Sequence, residues 1–238
     1  APLFRAKRRT RLALIRRPPL PLSLRDDAMN KTAAPPSFLA LAQRVGVIPV
    51  VTVERVAHAV PLARALIAGG LPVIEITLRT KAAIDAIRAI SEALPEAHVG
   101  VGTVLDPAQA LTAIAAGARF VVSPGATDRL IDASADWGAP YLPGVATASE
   151  AMRLADRDIR FLKLFPAEAV GGVPLLKSLA APLPEIMFCP TGGIDATKAA
   201  AYRALPNVAC VGGSWMVPHA AIEAGDWRRI TELSNSAR

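Results

Sequence analysis

A lysine stands between large apolar side chains in Phe-Leu-Lys-Leu-Phe, residues 161–165. In an extended strand side chains alternate, so Leu162 and Leu164 share one face and Phe161, Lys163 and Phe165 the other. If the leucines face covering helices, the Lys163 amine points into the protein. Burial disfavours its charged form. A neutral amine attacks carbonyl carbons and can form a Schiff base. A carboxylate in a similar setting is Glu75, in Val-Ile-Glu-Ile-Thr-Leu-Arg, residues 73–79. Glu75, Thr77 and Arg79 share a face there, opposite Ile74, Ile76 and Leu78. An apolar setting makes a lone carboxylate costly, so Glu75 wants a cation, and beside Lys163 it could carry protons for imine chemistry. A structural ion pair inside the protein is the plainer alternative for both. Arg79 at the strand's end could fork onto a substrate carboxylate, or be a solvated loop arginine.

Two glycine pairs supply a second kind of chemistry. Cys-Pro-Thr-Gly-Gly-Ile (189–194) and Val-Gly-Gly-Ser-Trp (211–215) each lead from an apolar run towards a helical stretch. Small residues let backbone N–H groups approach an anion. Gly192, Gly193, Gly213 and Ser214 therefore read as a phosphate cradle, although one such pair alone is more often just a turn.

Positioning these groups requires a scaffold. From residue 45 onward eight short apolar runs alternate with helical patterns: 45–51, 72–77, 98–104, 119–124, 140–146, 159–165, 186–192 and 208–214. Near-continuous apolar runs suit strands covered on both faces. Helix punctuation lies between them. Thr52 or Glu54 opens the first helix and Gly69–Gly70 closes it; Asp106–Pro107, Thr127 and Asp195 open later ones, and Thr147 with Glu150 forms a capping box. Eight such units predict an α/β protein with a (β/α)8 TIM barrel, and residues 36–44 predict an extra N-terminal helix. An open doubly wound sheet is the competing architecture. No Gly-x-Gly-x-x-Gly follows the first strand, which disfavours a dinucleotide fold. In a barrel, catalytic groups sit at the C-terminal strand ends, and the loops after strands 7 and 8 bind phosphate.

These motifs resemble the 2-keto-3-deoxy-6-phosphogluconate (KDPG) and 4-hydroxy-2-oxoglutarate (KHG) aldolases of the Entner–Doudoroff pathway. The matching stretches are VIEITLRT (73–80), VGTV (101–104), SPG (123–125), LPGVAT (142–147), KLFPAE (163–168), PTGGI (190–194) and GGSW (212–215), within about residues 38–235. The resemblance implies a class I aldolase that needs neither metal nor cofactor. Lys163 would form the Schiff base and Glu75 would be the general acid/base. Arg79 and Thr103 would hold the pyruvyl carboxylate, Pro124 and Phe165 would line its pocket, and Thr191 would face the substrate. Gly192, Gly193, Gly213 and Ser214 would hold the phosphate. The implied partners are a phosphorylated keto acid, pyruvate and two further copies of the chain in a homotrimer. Val170 and Ala146 depart from the residues common in the family's motifs.

Charge and composition narrow the remaining classes. The chain has 238 residues, 52% of them hydrophobic, with a formal net charge of +7. Eight of the 27 basic residues and two of the 20 acidic ones lie in residues 1–28, so the remainder is near neutral. The basic stretch reads as a disordered extension preceding one barrel domain at 29–238; a transit peptide or a nucleic-acid-binding run are its other readings. The near-neutral remainder argues against a nucleic-acid or membrane partner. No apolar run is long enough to span a membrane. Cys189 and Cys210 lie in apolar strands, as reduced thiols of a cytoplasmic protein would. A metal-dependent isomerase would need His and carboxylate ligands at strand ends. The three histidines, His58, His98 and His219, read as structural or solvated, with His219 opening the last helix.

Overall fold

The computed structural model describes residues 37–238; the basic extension 1–28 lies outside them. Nine strands alternate with helices: β1 Val47–Val51, β2 Val73–Thr77, β3 His98–Gly102, β4 Val121–Val122, β5 Tyr141–Leu142, β6 Gly144–Val145, β7 Phe161–Leu164, β8 Met187–Pro190 and β9 Val211–Gly213. The helices are α1 Phe38–Val45, α2 Val56–Ala68, α3 Ala83–Ala93, α4 Pro107–Ala115, α5 Asp128–Ser134, α6 Ala148–Ala155, α7 Gly172–Ala180, α8 Ala196–Arg203, α9 His219–Ala224 and α10 Trp227–Ser236.

All strand pairs are parallel. The sheet is curled and falls into a six-stranded part, β5-β4-β3-β2-β1-β9, and a three-stranded part, β6-β7-β8. This is coarser than the unbroken eight-stranded ladder expected from the sequence, and each interruption has a local cause. The fifth apolar run becomes two strands parted by Pro143. Proline has no N–H to give a ladder. Its carbonyl still accepts from the Lys163 N–H at 2.8 Å. Between β8 and β9 only two isolated parallel bridges form, Phe188 with Val208 and Thr191 with Gly212. Their registers differ by one residue, so an extra residue on the β9 side breaks the ladder.

Several helix signals hold where they were read. Asp106 caps α4, Thr127 caps α5 and Asp195 caps α8, each accepting from a backbone N–H of the first turn. Thr147 and Glu150 form the capping box of α6. Ser37 caps α1, the extra helix before β1. The first βα helix departs from expectation. It starts at Val56 after Arg55, which makes no side-chain cap, and it accommodates Pro61 in its second turn. A further helix, α10, follows the one that His219 opens.

Side-chain alternation divides the core in two. Ile74, Ile76, Leu162 and Leu164 turn outward and pack with Leu62, Leu66, Ile87, Leu154 and Leu176 of the helices. The opposite face packs Ile48, Val73, Phe120, Val122, Leu142, Cys189 and Cys210 against Phe38, Leu41 and Ala42 of α1. The Phe38 ring stacks on Phe120 with centroids 4.5 Å apart, and His98 stacks on the same ring at 5.7 Å. Thus α1 floors the inner face at the N-terminal strand ends.

Candidate active site

Lys163 sits in β7 between the outward Leu162 and Leu164, so its side chain must turn inward. Glu75 occupies the same face of β2, two residues on from Val73. Lys163 Nζ donates to Glu75 Oε1 at 3.1 Å, with the side chains 6% and 4% exposed. Two charges so deeply buried need each other, since either alone would be strongly destabilising. The Phe165 ring lies beneath the same ammonium, 5.3 Å from Nζ to centroid, within cation–π range. Thr77, next on the inner face of β2, is held by the carbonyl of Val51 at 3.0 Å and by Thr52 Oγ1 at 3.1 Å.

Space for the Glu75 carboxylate comes from glycine. A Cβ on Gly102 of β3 would lie 2.1 Å from Glu75 Oε1 and 2.7 Å from its Cγ. Thr103, the next residue, has φ 60, a left-handed conformation that a β-branched residue seldom adopts. Such strain gathers at functional sites. It lies at the C-terminal end of β3, and Pro124 lies two residues past β4, its carbonyl filling the space beside Gly144.

At the C-terminal strand ends opens a cavity of about 310 Å³ lined by Val50, Arg79, Phe165, Thr191, Gly192, Gly193, Ile194, Gly213 and Ser214. A neighbouring cavity of about 390 Å³ shares Val50, Arg79 and Ser214 and adds Thr52 and His219. The two glycine pairs, distant in sequence, therefore converge on one opening with Arg79. Gly192 and Gly193 have φ 104 and 78, the region glycine enters at no steric cost. Gly213 is required for a different reason: a Cβ there would lie 1.8 Å from the Trp215 ring. Thr191 is buried beside this mouth, and its Oγ1 donates to the Cys189 carbonyl at 3.3 Å.

Of the residues singled out in sequence, Lys163, Glu75 and Phe165 form one buried cluster. Arg79, Phe165, Thr191, Gly192, Gly193, Gly213 and Ser214 line one cavity, with Phe165 common to both. Thr103 and Pro124 stand at neighbouring strand ends outside that lining. Sequence reasoning missed Val50, Thr52 and Ile194, apolar or unremarkable residues marked only by their place at strand ends. It also missed His219 on the wall of the neighbouring cavity. The other histidines lie elsewhere. His98 is in the floor, where burial first and then Arg119 lower its pKa, and His58 meets the Trp227 ring edge at 5.6 Å. Among the described residues no three His, Cys, Asp or Glu side chains converge as a metal site.

The family model described as KDPG and KHG aldolase matches residues 40–233. The chain belongs to that family. It is 52% identical over 191 residues to the 2-dehydro-3-deoxy-phosphogluconate aldolase of Pseudoalteromonas atlantica, covering 80% of this chain and 89% of the relative. The KHG/KDPG aldolase of Escherichia coli is 50% identical over 191 residues, covering 80% and 90%. Among solved structures, KDPG aldolase from Legionella pneumophila with pyruvate captured as a covalent carbinolamine superposes with TM-score 0.82 at 45% identity, covering 84% of this chain and 97% of that one.

Proposed function

We propose that this chain is a class I aldolase that cleaves 2-keto-3-deoxy-6-phosphogluconate to pyruvate and glyceraldehyde 3-phosphate, and that it also accepts 4-hydroxy-2-oxoglutarate. One observation carries the reading: a buried lysine–carboxylate pair, 3.1 Å apart, on the same inner face as a cavity rimmed by two glycine turns and an arginine. The named activities of relatives near 50% identity and the covalent pyruvate adduct of the Legionella enzyme support it.

The chemistry follows from that arrangement. Lys163 Nζ adds to the C2 ketone of the keto acid, giving a carbinolamine that loses water to an iminium. The cationic nitrogen accepts the electron pair of the C3–C4 bond as it breaks. The C4 hydroxyl loses its proton and leaves as the aldehyde of glyceraldehyde 3-phosphate. The enamine is protonated at C3, and water hydrolyses the imine to pyruvate and free Lys163. Glu75, hydrogen-bonded to the amine, takes and returns these protons. Arg79 and Thr103 hold the pyruvyl carboxylate, Pro124 and Phe165 wall the pyruvyl pocket, Thr191 faces the substrate, and Gly192, Gly193, Gly213 and Ser214 bind the phosphate. The chemistry assigned to these groups calls for no metal or other cofactor. The gluconate-derived acid is preferred to its galactonate epimer because a KDPGal structure is only 26% identical, well below the relatives named for the gluconate acid.

The same reading assigns residues 29–238 to one (β/α)8 barrel domain. Chain continuity through Pro143 on one side and the two β8–β9 bridges on the other support closure of the two sheet parts. It assigns a homotrimer, supported by the family resemblance and by apolar Leu105 and Leu111, which are 60% and 54% exposed. No helix among the described residues is long and apolar enough to cross a membrane. Two free buried thiols, Cys189 and Cys210, suit the cytoplasm.

Reductive trapping tests the central step. Pyruvate with borohydride is expected to add one stable adduct to Lys163, located by peptide mass mapping. An adduct on another lysine, or none, overturns the assignment.

A further inference from the structure

Three successive peptide units run through the turn after β8, and each is anchored by its carbonyl. The Thr191 carbonyl accepts from the Ala167 N–H at 2.8 Å, and the Gly192 carbonyl from the Glu168 N–H at 3.2 Å. The Gly193 carbonyl has no backbone donor. It accepts instead from Lys198 Nζ on α8, at 3.1 Å. These peptides are trans, and a trans peptide sends its C=O and N–H in opposite directions. Each anchor therefore turns an N–H the other way, those of Gly192, Gly193 and Ile194. The Gly192 N–H faces the Gly212 carbonyl through the Thr191–Gly212 bridge, whereas among the described residues no backbone acceptor takes the N–H of Gly193 or Ile194. All three residues line the 310 Å³ cavity. Successive N–H groups turned to one side in this way make an anion-binding concavity.

Two of the three planes are thus fixed by main chain, and the third depends on one side chain. That side chain is itself braced. Lys198 Nζ lies 2.7 Å from Glu168 Oε2, and Tyr202 donates to the other carboxylate oxygen of Glu168. The Glu168 methylenes fill the space beside Gly193, where a Cβ would come within 2.7 Å of Cγ. Each partner keeps the other charged: the Glu168 bond raises the pKa of Lys198, and the Lys198 bond lowers that of Glu168. With its charge matched by Glu168, Lys198 adds little net attraction for an anion; its effect is on geometry.

We infer that Lys198, braced by Glu168 and Tyr202, is a positioning residue for the phosphate end of the substrate, holding the Gly193–Ile194 peptide with its N–H turned to the anion. This rests on the phosphate reading of the glycine turns given above.

Steady-state kinetics of the full chain with the phosphorylated keto acid and with unphosphorylated 4-hydroxy-2-oxoglutarate separate the two. Loss of one charged hydrogen bond predicts that Lys198→Met raises KM for the phosphorylated acid about tenfold, with kcat and the KM for the unphosphorylated acid moving less than about twofold. Lys198→Arg, which keeps a cationic donor, restores most of that KM. Glu168→Gln raises it in the same direction, and the double variant is no worse than Lys198→Met alone, because both act through one peptide. Equal losses on both substrates, no change in Lys198→Met, or tighter phosphorylated-substrate binding in Glu168→Gln each overturn the inference. If the wild-type enzyme shows no preference for the phosphorylated acid, the phosphate reading itself fails and takes the inference with it. A preserved wild-type preference with an unchanged Lys198→Met fails the inference alone.

Discussion

The carboxylate of Glu75 occupies space that any side chain at position 102 would fill, since a Cβ on Gly102 would stand 2.1 Å from Oε1. Two substitutions therefore probe the proposed proton carrier from opposite sides. Glu75→Gln keeps volume and removes the base; its turnover is expected to fall by about 10² or more with an unchanged circular dichroism spectrum. Gly102→Ala leaves the carboxylate chemically intact and displaces it from Lys163; a loss of similar order is expected, measured as kcat in the same cleavage assay. Turnover within about threefold of wild type in either would remove Glu75 from proton transfer. The pair was legible in sequence because a charge in an apolar strand is conspicuous and period-2 alternation fixes its face. The bond from Lys198 to the Gly193 carbonyl was not, because it joins a helix surface to a turn and leaves no periodic trace.

At the level of elements, caps were the most readable features. Side-chain oxygens at Asp106, Thr127, Thr147 and Asp195 satisfy N–H groups that helix geometry leaves orphaned, and that demand is local. Strand continuity was less readable. Pro143 interrupts its run and the register slip between β8 and β9 depends on partners far along the chain, so nine strands stand where eight runs were counted. The capping box of α6 gives a pH test. The Ala146 N–H first of all holds the Glu150 carboxyl below the ordinary carboxylate range, against desolvation and with help from Thr147. A depressed folded-state pKa contributes stability that is present above the unfolded value, near pH 4.5, and is lost as pH falls through the lower folded one. Glu150→Gln is accordingly expected to lower Tm at pH 7 and to lose that difference progressively as pH falls below 4.5, as a series of thermal melts would record. The cost at pH 7 is about 1 kcal/mol or less, as for other exposed caps.

Across the whole molecule, α1 and the inner face form one unit. Phe38 is 8% exposed and stacks on Phe120. Phe38→Ala is expected to cost about 3 kcal/mol by urea denaturation, while kcat of the folded fraction changes little. Removing residues 1–28, which carry most of the excess positive charge, is expected to leave cleavage kinetics within about twofold, since the near-neutral remainder holds every residue assigned to the reaction. Sedimentation equilibrium would check the proposed trimer. The stacked rings of Phe38, His98 and Phe120 fill the N-terminal end of the inner face, so in the proposed reaction the substrate reaches Lys163 from the C-terminal strand ends. A three-carbon fragment bonded to Lys163 would then lie deepest, with the phosphorylated aldehyde nearer the glycine turns. On that reading traffic would be last in, first out: the aldehyde would depart before pyruvate in cleavage, and pyruvate would enter first when the reaction runs backwards.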